Sequence, residues 1–358
     1  MAIATHPFVR FVRHHISLIA FATGFVWDTI TLNRIDLLYE NFVFVSYLVI
    51  AFVGILLVHS VETGTWAPRR LVAIRAWLPA LVQFPLGGLF SGFVIFYTKS
   101  AAFWTSWPFL LLLFALFVGN EFFRRRYERL VFQMSVLFFA LTSYLILVTP
   151  VVLGTIGNST FVLSTLLALF VFAVLTQIVM RLFPDLYRRS VRGIWLSVLG
   201  VFAVFQVFYF THVIPPVPLV LTEVGIYHSV VRSEGVYQVA YEEPRGWKWW
   251  RDTSYTFNQR KGSAAYCFAS IFAPTRLSAR VQHSWQRKTT EGAWVREAKV
   301  PYQVSGGRDH GFRGYTFITS VLQPGTWKCA VELENGQVIG ETIFEVVQGE
   351  PELVRGER

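Results

Sequence analysis

The chain has 358 residues, 54% of them hydrophobic and only 15% charged, with a net charge of +10 at neutral pH and a mean hydropathy of +0.47. So apolar a composition at this length excludes a large soluble domain and indicates several membrane crossings. The positive charge does not indicate a nucleic-acid face: residues 1–222 hold 15 basic and 7 acidic side chains and residues 223–358 hold 17 and 15, so the more polar region is nearly neutral.

Seven apolar spans precede residue 215: Ile16–Thr31, Phe42–His59, Trp77–Tyr97, Phe103–Gly119, Leu130–Leu153, Phe161–Met180 and Ile194–His212. Each runs for roughly 16–24 residues, against the ~20 that a helix needs to cross ~30 Å of hydrocarbon. The apolar stretch before Ala20-Phe21-Ala22 is too short for a cleavable signal, so the first span reads as an uncleaved anchor. Basic residues alternate in amount from loop to loop. Thirteen lie on one side (Arg10, Arg13, Arg69, Arg70, Arg75, Arg124, Arg125, Arg126, Arg129, Arg181, Arg188, Arg189, Arg192), and two, Arg34 and Lys99, on the other. Arg and Lys accumulate on the cytoplasmic face, which places the N-terminus inside and everything after the seventh span outside.

Within the spans, Asp28, Gln83, Gln133, Gln177, Gln206 and His212 are polar. In this topology Asp28 and His212 fall near the outer ends of their helices. With Arg34, Asp36 and Lys99 they make a candidate polar cluster at the outer leaflet. Charges near the midplane, which a coupled transport path needs, are lacking, and the glutamines suit hydrogen bonding between helices. Gly88-Leu-Phe-Ser-Gly92, one turn after Pro85, lets two helices approach closely, within the chain or across a dimer. The basic clusters at 124–129 and 188–192 enforce topology, with binding of anionic lipid as the alternative.

At Ile214-Pro215-Pro216-Val217-Pro218 the chain cannot remain helical, and 215–222 reads as a Pro-rich linker. Beyond it the hydrophobic period becomes two. Val281, His283 and Trp285 share one strand face, and Trp327, Cys329, Val331 and Leu333 another. Val338, Thr342, Phe344 and Val346 share a third. Asn335-Gly336 predicts a type I′ hairpin turn between the last two strands. Further strands are predicted over 225–232, 236–241, 246–257, 263–272, 293–304 and 313–320. Residues 223–348 thus read as an all-β antiparallel sandwich, with a charged, frayed tail at 349–358. The whole is a seven-helix transmembrane domain, 1–214, followed by this external domain.

The only cysteines, Cys267 and Cys329, lie in the external domain, where an oxidising compartment permits a disulfide. Two unpaired core thiols are the alternative. Trp247, Trp249, Trp250 and Tyr255 are concentrated in one segment and suit sugar stacking, a headgroup belt or plain core packing. His283, beside Trp285, reads as a hydrogen-bonded core histidine or a binding residue. His228, His283 and His310 lack ligand spacing, so no metal and no cofactor are assigned. Asp252, Asp309 and Glu234 are acid–base candidates that sequence does not bring together. No nucleophile elbow, zincin, P-loop or Rossmann fingerprint occurs, and no catalytic residue is assigned.

His283-Ser-Trp285, Gly325-Thr-Trp327 and Glu334-Asn-Gly-Gln-Val-Ile-Gly340 with Phe344, preceded by Val231-Arg232, Gly235-Val236 and Glu243-Pro244, together resemble the bacterial domain-of-unknown-function 2914 family over about 226–347. Arg313-Gly-Tyr-Thr-Phe and the two cysteines depart from that pattern. The resemblance implies a domain carried after membrane helices in a bacterial envelope, and no activity. The order Cys267, Trp285, Trp327-x-Cys329 also resembles an immunoglobulin sandwich, which implies cysteines on facing sheets. The leading expectation is an inner-membrane protein with a periplasmic domain that binds an envelope glycan, lipid headgroup or protein partner, with membrane lipids around its helices and no nucleic acid. The alternatives are an enzyme or transporter acting on a lipid-linked substrate at the outer leaflet, and a structural subunit of a membrane complex. Oligomeric state is not fixed by any feature of the sequence.

Overall fold

The computed structural model describes residues 25–32, 36–65, 68–73, 75, 78–100, 103–122, 129–233, 235–243, 253–260, 262–308 and 311–358. Its helices are α1 (Leu38–Thr63), α2 (Arg69–Ala73), α3 (Leu78–Lys99), α4 (Phe103–Phe122), α5 (Leu130–Leu153), α6 (Asn158–Leu182) and α7 (Pro184–Phe210). Residues 25–31 are also helical. Among the described residues five helices, α1, α3, α5, α6 and α7, are long and apolar enough to cross a membrane. This corrects the expectation of seven. The first expected span falls mostly outside the described residues. The fourth lies in α4, whose apolar stretch is only Thr105–Gly119, and at ~1.5 Å per residue it falls short of ~30 Å of hydrocarbon.

The chain divides into two compact units. One comprises Met1–Phe96, Leu112–Tyr144 and Leu175–Ser197; the other Tyr97–Leu111, Leu145–Val174 and Val198–Arg358. In the first, the G-x-x-x-G of α3 packs on aromatic rings of α1. A Cβ at Gly88 would lie 2.5 Å from the Tyr47 ring, and one at Gly92 would collide with Phe44. Phe44 in turn packs on Phe93 at 5.6 Å and stacks on Tyr144 at 5.9 Å. The Tyr144 hydroxyl donates to Asn41 Oδ1 at 3.1 Å. The two glycines therefore serve packing within the chain.

In the second unit α7 ends in a Schellman motif. The N–H of Val213 reaches the carbonyl of Phe208 at 2.7 Å and that of His212 reaches Tyr209 at 2.9 Å. His212 takes the left-handed position at φ 60°, where glycine is usual. The β-strands follow: β1 (Val220–Tyr227), β2 (Ser229–Ser233), β3 (Val236–Tyr241), β4 (Thr256–Gln259), β5 (Ala265–Phe272), β6 (Ser278–Lys288), β7 (Trp294–Ser305), β8 (Phe312–Ile318), β9 (Gly325–Leu333), β10 (Val338–Gln348) and β11 (Val354–Glu357). They form three sheets, ordered β1-β5-β8, β4-β10-β9-β6-β7 and β11-β3-β2.

The first two sheets share apolar clusters. Leu219, Ala269 and Ile271 meet Val281, Val331, Leu333 and Ile339. Ile226, Ala265 and Cys267 meet Trp285, Trp327, Cys329 and Phe344. Cys267 of β5 and Cys329 of β9 are bonded at S–S 2.07 Å across this second cluster. The third sheet packs Tyr237, Val239 and Val230 on Phe268. β5 is thus buried on both faces, which is why Ala265–Phe272 reads as a nearly continuous apolar run.

Four details differ from the sequence expectation. The sheets are not wholly antiparallel, since β4 runs parallel to β10, with Thr256 opposite Glu345. The single strand expected over 225–232 breaks at His228, whose N–H turns to the carbonyl of Ala240 at 2.8 Å, and the chain changes sheet there. Val354–Glu357, in the expected tail, pairs with β3. The Asn335-Gly336 turn is a three-residue loop and not type I′. Only Gly336 has positive φ, 90°, and Gly336 N bonds Leu333 O at 2.9 Å while Leu333 N bonds Gln337 O at 2.8 Å, the pattern of a type I turn with a glycine bulge.

Candidate functional site

The period-two face of β6 places His283 and Trp285 inward, and a chain of polar groups crosses the core there. The indole of Trp285 donates to Thr316 Oγ1 at 3.2 Å. Thr316 Oγ1 shares a hydrogen bond with His283 Nδ1 at 2.9 Å, and His283 Nε2 shares one with the Tyr302 hydroxyl, also at 2.9 Å. Both ring nitrogens of His283 are therefore used. Burial pushes its pKa down to about 3 and that of Tyr302 well above its ordinary range. His283 is neutral at physiological pH and works as a core connector. Cys267, His283 and Cys329 bring three ligand-type atoms within 4.8 Å of one another, but the two sulfurs are bonded to each other. The donor set therefore does not fit a metal in this state.

Where β6 and β7 run on from this core, a polar cleft opens. Its volume is about 210 Å³, and its walls are Arg287, Glu297, Ala298, Ile318, Trp327 and the loop Ser320–Gln323. A β-bulge sets the mouth. Trp285 pairs with Ala298 and Gln286 with Arg296, leaving Glu297 as the extra residue, and bulges re-aim side chains in this way. Glu297 then accepts the Nε–H of Arg287 at 3.1 Å. The opposite wall is held from outside. Leu322 N donates to Gln259 Oε1 at 2.8 Å, Gln348 Nε2 donates to Leu322 O at 3.3 Å, and the Trp327 indole donates to Gln323 O at 2.8 Å. Leu322 itself is buried in the core. Three side chains from three strands thus fix a loop that would otherwise carry its own ordering cost.

A second, half-buried polar group links the residues just after β1 and β3 to β4. His228 Nε2 lies 2.8 Å from Glu242 Oε1, which also accepts the Asn258 N–H at 2.8 Å. The His228 ring stacks on Phe257 at 4.1 Å. Burial alone would raise the Glu242 pKa, but the hydrogen bonds from His228 and Asn258 outweigh it and hold the pKa below the ordinary value. This cluster ties three strands together.

Of the aromatic segment, Tyr255 is partly exposed, at 37%, whereas Trp247, Trp249 and Trp250 lie outside the described residues, as do Glu234, Asp252, Asp309 and His310. The residues of the outer-leaflet group fall in different units. Asp28 accepts the Ser91 hydroxyl at 2.6 Å within the first unit, to which Asp36 also belongs. Lys99 and His212 belong to the second, and Arg34 lies outside the described residues. Sequence reasoning missed Arg287, Glu297, Tyr302 and Thr316, because a bulge and a cross-sheet contact leave no periodic signature. It also missed buried His59, which reaches Glu62 at 2.7 Å and Gln133 at 2.9 Å; the His-x-x-Glu spacing on α1 was a readable signal.

The cleft and the His283 chain draw their residues from one stretch of sequence. The family model for a protein of unknown function, DUF2914, matches residues 278–346. The match runs from β6 into β10 and includes His283, Trp285, Arg287, Glu297, Tyr302, Thr316 and Trp327; the opening segment before β6 lies outside it. No curated protein matches the chain. A solved structure, the Pseudomonas fluorescens alkylpurine DNA glycosylase AlkC bound to DNA containing an abasic site analog, aligns at 11% identity over 88% of this chain and 99% of that one. Its TM-score of 0.18 carries no argument about fold or function.

Proposed function

We propose that the chain is a bacterial inner-membrane protein whose C-terminal β-sandwich stands in the periplasm and binds a component of the envelope. The thirteen-to-two distribution of basic residues supports an inside N-terminus and an outside β-domain, and the joined cysteines suit an oxidising compartment. With the five helices alone crossing, twelve basic residues still lie on the N-terminal side against three, Arg69, Arg70 and Arg75, which supports the same orientation. One observation carries the binding role: the DUF2914 segment supplies both sides of a polar cleft whose loop wall is pinned by Gln259, Gln348 and Trp327. A preformed cleft with a few fixed polar groups is what a binding site requires. His283 and Tyr302 of the same segment are spent on each other in the core, which favours binding over catalysis.

A photo-crosslinking residue in place of Ser320, at the cleft rim, tests the reading in living cells. A discrete adduct of an envelope glycan, lipid or protein that vanishes when Arg287→Ala is added is the expected result. Adducts no different from those of the same crosslinker at Ser305, at the opposite end of β7, would overturn it.

A further inference from the structure

Resting on the binding role just proposed, the cleft geometry assigns a ligand class: we infer that it takes a single uncharged sugar ring, the terminal or branching unit of a saccharide. The mouth holds one guanidinium and one carboxylate, paired with each other through the Arg287 Nε–H and Glu297 Oε1 at 3.1 Å. Their charges offset, so an anion entering the cleft meets a carboxylate as readily as a guanidinium. A zwitterion would have to separate the pair that the β6–β7 bulge brings together. A hydroxyl needs neither concession. It donates to the second oxygen of Glu297 and accepts from the terminal N–H groups of Arg287, and adjacent hydroxyls on a ring match an adjacent donor set and acceptor.

The remaining wall fits the other half of a sugar. Ala298, Ile318 and Trp327 give an apolar floor suited to ring C–H bonds, while Ser320 and Gln323 continue the polar rim. The volume, about 210 Å³, lies below the ~300 Å³ at which pockets for drug-sized ligands begin. It therefore holds one ring, and the rest of a longer chain would leave through the mouth. Because the floor and the loop wall are fixed before binding, the sugar has no loop to order, which is how small neutral ligands reach useful affinity.

Saturation-transfer NMR on the full-length protein in detergent micelles tests this with three probes: glucose, N-acetylglucosamine and glucuronate. Transfer to at least one neutral ring is expected. Its dissociation constant should rise at least tenfold in Glu297→Gln, and transfer should be lost in Arg287→Ala. Ser320→Tyr, which fills the mouth without touching the ion pair, should also abolish transfer while leaving the circular dichroism and melting temperature unchanged. No transfer to either neutral ring, transfer to glucuronate alone, or transfer that survives both Arg287→Ala and Ser320→Tyr each overturns the sugar assignment. If the sugars fail while the Ser320 crosslink in cells still captures a lipid or protein, the assignment falls alone. If the crosslink fails as well, the binding role falls with it.

Discussion

His283 shows how a residue type with a reactive reputation is tamed by its surroundings. It sits neutral between Thr316 and Tyr302, with its pKa pushed from 6.5 to about 3 by burial. The unfolded chain binds a proton on this ring near 6.5 and the folded chain only near 3. Between those values the unfolded state holds the extra proton, so stability is full above ~6.5 and falls as the pH drops toward 3, by at most ~1.4 kcal/mol per pH unit. Melting temperatures from pH 7.5 to 4 should therefore decline less steeply in His283→Gln than in the parent. Parallel curves would contradict the neutral assignment. His212 carries a different constraint, its backbone. At φ 60° a side chain costs roughly 1–2 kcal/mol, so His212→Gly should hold or raise the melting temperature and His212→Val should lower it. If the imidazole instead served chemistry at the outer leaflet, His212→Gly would impair function without loss of stability.

At the scale of elements, α1 and α3 form the closest helix contact that the sequence announced. Gly88 and Gly92 leave no room for a Cβ against Tyr47 and Phe44, and Pro85, one turn earlier in α3, has no N–H for the hydrogen-bond ladder. Gly92→Leu should reduce the yield of monodisperse protein in size-exclusion chromatography, and Phe44→Ala should partly restore it by vacating the space. Rescue marks a contact within the chain; a shift of the glycine variant from dimer to monomer would mark a seam between chains. The β-elements were legible to unequal degrees. β6, β9 and β10 alternate in sequence because one face carries apolar core side chains and the other mostly polar ones, even where both are buried, as at Gln282, Ser284 and Glu332, so Val281-x-His283-x-Trp285 could be read from periodicity. β4 could not, since four residues pairing in parallel with a strand far along the chain have no local signal. β11 was hidden because three of its four residues are exposed and none packs in the core, and only its pairing with β3 makes it a strand. The cleft was illegible for the same kind of reason: it depends on which residue a bulge leaves unpaired. The bond between β5 and β9 closes a loop with a separation of 62 residues, for which chain entropy gives ~4 kcal/mol. Cys267→Ala with Cys329→Ala should lower the melting temperature under oxidising conditions and abolish its sensitivity to dithiothreitol. An unchanged melt would mean that the bond adds nothing to the packed core.

Across the whole molecule, the β-strands are not a module swinging on a proline hinge. Within the second unit the hairpin turn after β9 meets the start of α6 and the end of α7. Asn335 Nδ2 donates to Asn158 Oδ1 at 3.1 Å, the Tyr209 hydroxyl donates to the same oxygen at 3.2 Å, and Gln337 Nε2 donates to Ile214 O at 3.2 Å. On the other side the loop after α5 pairs with the start of β6, Ser278 N reaching Gly154 O at 3.0 Å. A carbonyl of Arg276 lies so close to Gly154, itself at φ 70°, that a Cβ there would sit 2.8 Å from it. These contacts lie at the ends of α5, α6 and α7 that the charge pattern assigns to the outer surface, so the strands docked there lie on whichever side those ends do. A periplasmic reporter such as alkaline phosphatase fused after Arg358 should be active, and a cytoplasmic fluorescent reporter fused there dark. The reverse result would put Asn335, the cysteines and the cleft in the cytoplasm and remove the envelope from the argument. Asn335→Ala then separates docking from orientation. It should leave the reporter pattern intact while making the loop after α5 more sensitive to protease, because the charge rule assigns orientation to basic residues in other loops, whereas docking rests on a few hydrogen bonds, each contributing about 1 kcal/mol.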